Sequence, residues 1–169
     1  MMRLSFKNLL PLLLLSLASC WQWERNSTPS REVRYEPVVI SKAQLHKISL
    51  EAPHATTQNA KIYIKDSIIF VNDRRVGIHI VDNSNPEAPK KLRYLNAPGA
   101  TDVAVRGGIL YINQARDLVA LKINTQSGNV QVLKRLENVF PAILSPDGDF
   151  AGVSDDKVVI DWKPKNSKK

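Results

Sequence analysis

The sequence predicts an all-β fold. Short runs rich in β-branched and aromatic residues alternate apolar with polar positions, as in Ile62-Tyr63-Ile64-Lys65 and Val103-Ala104-Val105-Arg106. Turn-forming residues bound such runs, for example Arg106-Gly107-Gly108 and Ser145-Pro146-Asp147-Gly148. Only residues 41–50 carry a faintly helical pattern. We therefore expect strands joined by tight turns along most of the chain.

The strand pattern repeats along the chain. Residues 62–72 align with residues 103–113, about 41 positions later, and each segment predicts two short strands around a tight turn. Residues 77–82 align with 117–122, and residues 157–162 form a third copy of this element. A period near 40 residues with about four short strands per unit is typical of propeller blades. We predict a partial or open β-propeller of about three blade-like repeats.

One part of this repeat resembles a known family. The run from Gly77-Ile78-His79-Ile80-Val81-Asp82 to Pro86, followed by Pro98-Gly99-Ala100-Thr101-Asp102, resembles the LVIVD repeat of bacterial exported and surface proteins. Leu118-Val119-Ala120-Leu121 repeats the strand core, and Val159-Ile160-Asp161-Trp162 is similar to the closing segment. The resemblance implies a propeller-type fold. Closed propellers have about four to eight blades, so several chains complete a ring, or the units stack openly, or the chain is a shortened relative.

The amino terminus has the pattern of an export signal. Arg3 and Lys7 precede the apolar run from Leu9 to Ala18, which is shorter than the roughly 20 residues that span a bilayer. Leu17-Ala18-Ser19-Cys20 resembles the lipobox of bacterial lipoproteins. The resemblance implies cleavage between Ser19 and Cys20 and a lipid on the Cys20 thiol. Since Cys20 is the only cysteine, no disulfide forms within the chain.

These patterns divide the chain into four parts. We expect a lipoprotein signal peptide at 1–19, a lipidated and flexible tether at 20–41, a propeller-like repeat domain at 42–162 and a basic disordered tail at 163–169. Trp21 follows the cysteine where an aspartate would favour inner-membrane retention in enteric-type sorting. The expected location is the bacterial cell envelope, at the outer rather than the inner membrane.

The charge of the chain is strongly basic. The net charge of +8 includes Arg3 and Lys7, whose removal with the signal peptide leaves +6. An exported, anchored protein does not meet DNA, so nucleic acid is not an expected partner. The membrane itself, an envelope protein, a glycan or an anionic lipid fits better. Arg74 and Arg75 lie at a predicted strand connection, where a basic rim would bind anions, although a solvated surface and tail explain the charge more simply.

Patterns that carry catalysis or metal binding are sparse. His46, His54 and His79 lack a metal-ligand spacing, and there is no nucleophile elbow or phosphate-binding glycine loop. The turn at residues 82–85 has oxygen ligands that suit calcium, but Asx turns explain the same residues. Asp155-Asp156 fits a hairpin turn better than an acid and base pair. We expect no metal and no cofactor.

We interpret the chain as a membrane-anchored, non-catalytic binding or scaffold protein of the envelope. The alternatives are a hydrolase or lyase that uses an open propeller face, and a purely structural envelope lipoprotein. A homo-oligomer would follow if separate chains complete one ring. Fold class alone does not choose among these functions.

Overall fold

The structure is a computed structural model that describes residues 33–165. The predicted signal peptide, its cleavage position at Ser19 and the lipidation site at Cys20 lie outside the described residues. Most of the predicted basic tail, residues 166–169, also lies outside them. Nothing in the described part of the chain therefore bears on cleavage or lipidation.

The all-β prediction is confirmed for the described residues. One short helix, α1 (Lys42–Leu45), interrupts a series of strands. The strands are β1 (Tyr35–Ser41), β2 (Ser49–Glu51), β3 (Asn59–Lys65), β4 (Ile68–Asp73), β5 (Gly77–Asp82), β6 (Lys90–Asn96), β7 (Ala100–Arg106), β8 (Ile109–Gln114), β9 (Asp117–Asn124), β10 (Asn129–Leu136) and β11 (Lys157–Pro164).

The strands form three antiparallel sheets, none of which closes on itself. The first sheet has the order β2-β6-β5-β4-β3, the second sheet has the order β10-β9-β8-β7, and the third sheet pairs β1 with β11. Strands β3 to β6 and strands β7 to β10 are thus two successive four-stranded meanders. Their corresponding strands begin 41, 41, 40 and 39 residues apart. The predicted strand pairs at 62–72 and 103–113 match β3–β4 and β7–β8.

The third sheet joins strands that are far apart in sequence. Strand β11 contains the predicted third copy at 157–162, and its partner is the amino-terminal strand β1. The register places Val38 opposite Asp161 and shifts by a bulge before Val39. The predicted tether boundary at residue 41 is therefore wrong, because β1 lies in an ordered sheet. The alternation within β1 is interrupted by Pro37, and its partner is too distant for a local pattern to reveal.

The connection before β11 contains turns instead of strands. Residues 141–156 carry no strand. The backbone N–H of Ser145 donates to the carbonyl oxygen of Asp149 (2.9 Å), and Gly148 donates to Ser145 (2.8 Å). The predicted turn at Ser145-Pro146-Asp147-Gly148 is therefore present. Pro141 and Pro146 remove two backbone donors from this segment, which weakens any strand ladder there.

Helix α1 is held by its first turn. The side chain of Ser41 accepts a hydrogen bond from the Gln44 backbone (3.1 Å), and the Gln44 side chain accepts one from the Ser41 backbone (2.9 Å). This capping box satisfies two amide groups that the short helix leaves unpaired. The Lys42 backbone N–H also donates to the carbonyl of Asp156 (2.7 Å), which ties α1 to the turn before β11. The faint helical pattern of residues 41–50 thus yields one helical turn followed by a strand.

The main core draws its side chains from the first and second sheets. Each fully buried branched side chain in it contributes roughly 1.5–3 kcal/mol of transfer free energy. Because side chains alternate between the two faces of a strand, Ile78 and Ile80 of β5 lie in this core and His79 lies on the opposite face. The buried members are Phe70, Ile78, Ile80, Leu95, Ala97, Ala100, Val103, Leu110, Ile112, Val119 and Leu121.

A smaller cluster connects the third sheet to its neighbours. Its buried members are Leu45, Ala115, Val158 and Ile160, and Val38 and Ile40 pack against them. Gly99 has a positive φ of 80°, and a Cβ there would lie 3.0 Å from the Ile160 side chain. The β6–β7 loop therefore approaches β11 closely only with glycine at this position.

Gly77 supplies a second close approach, and it gives a test of the packing. A Cβ at Gly77 would lie 2.6 Å from the ring Cζ of Tyr94 and closer still to the backbone carbonyl oxygen of Leu95. We expect Gly77→Ala to lower the free energy of unfolding by about 1–3 kcal/mol, because backbone atoms cannot move aside easily. Chemical denaturation measures the change. Gly152→Ala is the matched control, since a Cβ there meets nothing within 4 Å. Equal stability of the two variants would contradict the packing of β5 on β6.

Candidate functional site

A cleft of about 550 Å³ lies beside the third sheet. This volume lies within the range typical of small-molecule sites. One wall comes from α1 and the start of β11, a second from the β8–β9 turn and the end of β10, and a third from the connection at residues 142–155. The cleft is lined by Lys42, Leu45, His46, Arg116, Asp117, Glu137, Asn138, Ala142, Ile143, Phe150, Ala151, Gly152, Val153, Ser154, Asp155, Lys157, Val158 and Val159.

A buried ion pair fixes the wall formed by the second sheet. Arg135 of β10 donates to the carboxylate of Asp117 (2.7 Å) and to the side-chain oxygen of Gln114 (2.8 Å). The Gln114 side chain in turn donates to the carbonyl oxygens of Leu45 (2.8 Å) and Pro98 (3.0 Å). These contacts join β8, β9, β10 and the end of α1, so the wall is rigid.

Two polar side chains of the cleft, Asp117 and Ser154, are engaged with structural partners. Asp117 accepts from Arg135 and from the Asn138 backbone N–H (3.1 Å). The hydroxyl of Ser154 donates to Asp156 (2.6 Å), and this hydrogen bond lowers the pKa of the Asp156 carboxyl. A carboxylate with a lowered pKa is a weak general base at neutral pH. Asp156 is therefore a poor base for activating the Ser154 hydroxyl.

The lip of the cleft is apolar. The Phe150 side chain is 67% exposed, and Val153 beside it is 37% exposed. Lys42, Arg116 and Lys157 line the same cleft. An exposed aromatic ring and three cations in one cleft suit a partner that offers apolar surface together with negative charge.

A separate polar cluster lies on the face of the first sheet that points away from the main core. The carboxylate of Asp73 accepts hydrogen bonds from the Thr57 hydroxyl (2.7 Å) and backbone (3.1 Å) and from the Gln58 backbone (2.8 Å). His79 Nε2 lies 3.5 Å from Asp73 Oδ2. The ring centroids of His54 and Tyr94 are 3.9 Å apart, and the ring centroids of His79 and Tyr94 are 4.7 Å apart. The β2–β3 connection thereby covers this face.

Burial controls the protonation of this cluster. Burial lowers the pKa of His79, although the Asp73 carboxylate opposes the shift. Burial by itself would raise the pKa of Asp73, but its hydrogen bonds to Thr57 and Gln58 outweigh that effect and hold the pKa below its ordinary value. Burial also raises the pKa of Tyr94 to about 12. At neutral pH the cluster therefore consists of a carboxylate beside a neutral imidazole and a neutral phenol.

The other candidate site residues from the sequence lie at separate places in the fold, apart from the adjacent Arg74 and Arg75. Arg74 and Arg75 form the β4–β5 turn, where Arg74 is half-exposed and Arg75 pairs with Asp161 (2.7 Å). His46 is exposed at the end of α1, whereas His79 is buried. Asp82 accepts from the Ser84 backbone (2.8 Å), as in an Asx turn. Among residues 33–165, no three His, Cys, Asp or Glu side chains are grouped to hold a metal ion.

Sequence reasoning missed the polar residues that matter most for these sites. Asp73, Gln114 and Asp117 are buried at the ends of strands, where a polar residue ordinarily predicts an exposed turn. Arg135 lies in a mixed polar run on β10, so nothing in its neighbourhood marks it as the partner of Asp117. One signal in the sequence was available: Asp73 and Gln114 occupy equivalent positions in the repeat, at the ends of β4 and β8.

Comparisons with known proteins identify no relative: no protein family, curated protein or solved structure matches the chain. In the described part of the chain, no helix has both the length and the apolar character needed to cross a membrane. Functional inference consequently depends on the residues themselves.

The buried cluster predicts acid sensitivity. Because the pKa of His79 is lower in the folded chain than its ordinary value of 6.5, the unfolded chain binds the proton more tightly. Stability is complete above about pH 6.5 and falls as the pH decreases, with a slope of at most about 1.4 kcal/mol per pH unit from this group. We expect His79→Met to flatten the decline between pH 7 and pH 5, measured by urea denaturation.

The control for this measurement is His46→Gln, which replaces an exposed histidine. The chosen interval lies above the ordinary Asp pKa of 3.8, so protonation of Asp73 adds little to it. An unchanged slope in His79→Met would show that His79 is not the buried neutral group described above.

Proposed function

We propose that the protein is a lipid-anchored lipoprotein of the bacterial envelope whose β-domain is a non-catalytic binding module. The cleft beside the third sheet is the observation that carries the binding role, since its volume and apolar lip suit a partner. The Leu17-Ala18-Ser19-Cys20 segment supports the anchor. Together these features describe a domain that is held at a membrane and presents a cleft to another envelope component.

The spacing between anchor and domain supports this arrangement. Cys20 and Tyr35, where β1 begins, are 15 residues apart. Such a segment spans at most about 50 Å when fully extended. Its polar, charged composition suits a spacer rather than a further folded unit. The domain would thus remain close to the lipid surface while leaving its cleft accessible.

The cleft supports a binding role over a catalytic one. Its most buried acidic group, Asp117, is occupied by Arg135 and the Asn138 backbone. The Ser154 hydroxyl donates to the Asp156 carboxylate, whose lowered pKa makes it a weak base. An active nucleophile needs an adjacent base that is itself free to take a proton. The exposed apolar lip, in contrast, matches the anchors that dominate protein interfaces.

The repeat supports a finer description of the fold. We infer that the two meanders are propeller-type blades of the LVIVD kind and that the third sheet is an incomplete blade. One of its two strands is β1, supplied by the amino-terminal end of the domain. Three units are fewer than the four to eight of closed propellers. A complete ring therefore needs further copies, whereas an open stack needs none.

The anchor is tested by the fate of Cys20. We expect Cys20→Ala to abolish incorporation of labelled palmitate and to leave the chain unprocessed, because only the thiol accepts the diacylglyceryl group. Ser16→Ala is the matched control, since it alters the apolar run but retains the cysteine. Metabolic labelling followed by membrane fractionation measures both effects. Labelling that persists in Cys20→Ala would exclude a lipid on this residue.

The cleft is tested by crosslinking in intact cells. A photoreactive amino acid in place of Phe150 should give a discrete adduct in the membrane fraction, because this side chain lies at the lip of the cleft. The same probe at Leu133 is the control, since Leu133 is also exposed but does not line the cleft. Adducts of equal yield from both positions, or from neither, would count against the cleft as the binding face.

A further inference from the structure

A second, smaller concavity lies where strands β3 and β7 meet the β4–β5 turn. Its volume is about 280 Å³, below the range of drug-sized sites and suited to a single functional group. It is lined by Lys61, Asn72, Arg74, Arg75 and Thr101. Three of these five side chains are cationic, so the pocket concentrates positive charge.

The polar group at the base of this pocket has no partner. Asn72 is 0% exposed, and neither its side-chain oxygen nor its side-chain nitrogen makes a hydrogen bond. Buried amides are almost always satisfied, because an unpaired donor or acceptor is costly. At the equivalent position in β8, Asn113 leaves only its side-chain oxygen buried without a partner. Asn72 therefore has unused hydrogen-bonding capacity that suits a group able both to accept and to donate a hydrogen bond.

The three cationic side chains around Asn72 differ in how strongly they are paired with other groups of the protein. Arg75 is committed, since it pairs with Asp161 (2.7 Å) and donates to the carbonyl oxygen of Ile160 (2.9 Å). Lys61 pairs with Asp102, but both side chains are about half-exposed or more, so this pair exchanges readily. Arg74 is half-exposed and lies 3.9 Å from Asp161, at the limit of an ion pair. Three cations against two carboxylates leave one positive charge in excess.

We propose that this pocket binds a phosphate group that has a hydroxyl beside it, as in a sugar phosphate or a glycerol-phosphate lipid headgroup. The phosphate oxygens would accept from Arg74, from Lys61 and from the Asn72 amide nitrogen. The neighbouring hydroxyl would donate to the Asn72 side-chain oxygen, which satisfies both halves of the amide. This inference depends on neither the cleft nor the lipid anchor, because no residue is shared with them.

Isothermal titration of the purified full chain with glucose 1-phosphate at low ionic strength tests the site. We expect saturable binding of glucose 1-phosphate and none of glucose. Arg74→Ala should weaken the affinity at least about tenfold, because it removes a charge-assisted hydrogen bond. Asn72→Ala should weaken it similarly. Arg106→Ala and Asn113→Ala are the matched controls and should bind as the unaltered chain does, since neither residue lines the pocket.

A second arm separates a free sugar phosphate from a lipid headgroup. Cosedimentation compares vesicles containing phosphatidylglycerol with vesicles of phosphatidylcholine alone. Preference for phosphatidylglycerol that is lost in Arg74→Ala but kept in Arg106→Ala, without binding of glucose 1-phosphate, would assign the site to a headgroup. Arg74→Ala also keeps the test decisive if Asn72→Ala fails to fold, because Arg74 is at the surface.

Two outcomes overturn the proposal. One is the absence of both glucose 1-phosphate binding and phosphatidylglycerol preference. The other is an equal loss in Arg74→Ala and Arg106→Ala, which would mean that general positive charge, and not this pocket, attracts the anion.

Discussion

The three sheets meet at one residue, Arg75 in the turn between β4 and β5. Its φ of 59° is unusual for a residue with a side chain. Its backbone N–H donates to Ala100 (3.1 Å), its carbonyl oxygen accepts from Gly99 (2.7 Å), and its guanidinium reaches Ile160 and Asp161 of β11. A single turn therefore holds the first sheet, the loop that leads to the second and the last strand. The relative placement of the three sheets depends on this junction, because its contacts reach all three.

Both candidate sites depend on where that junction places the third sheet. The cleft uses the start of β11, with Val158 and Val159, as one wall. The phosphate pocket uses Arg75 itself, whose side chain is fixed by Asp161 in the middle of the same strand. Arg75 is thus a structural cation that shapes the pocket, and Arg74 beside it is the cation that a ligand can reach. The two arginines are consecutive in the sequence, but they have different roles.

Local patterns were sufficient to predict β3, β4 and β5 of the first sheet and β7, β8 and β9 of the second, because alternation and turn residues act over a few positions. Strands β2, β6 and β10 were not located in this way. The segments at 62–72 and 103–113 predicted two hairpins with correct bounds to within a few residues. The third sheet was not predictable in this way, since β1 carries Pro37 and its partner lies beyond residue 156. Buried polar residues such as Gln114 and Asp117 were missed for a related reason. Their satisfaction by Leu45 and Arg135 requires contacts that no local window contains.

The pairing of β1 with β11 affects the order in which parts of the domain fold. Val38 lies opposite Asp161, 123 positions later in the chain. During synthesis from the amino terminus, β1 emerges first and has no partner until nearly the whole domain has followed. The two meanders contain only local pairings and are able to form in the interval, whereas the closing contact is slow because of its long loop. An early strand with open edges is also exposed to mispairing during that delay.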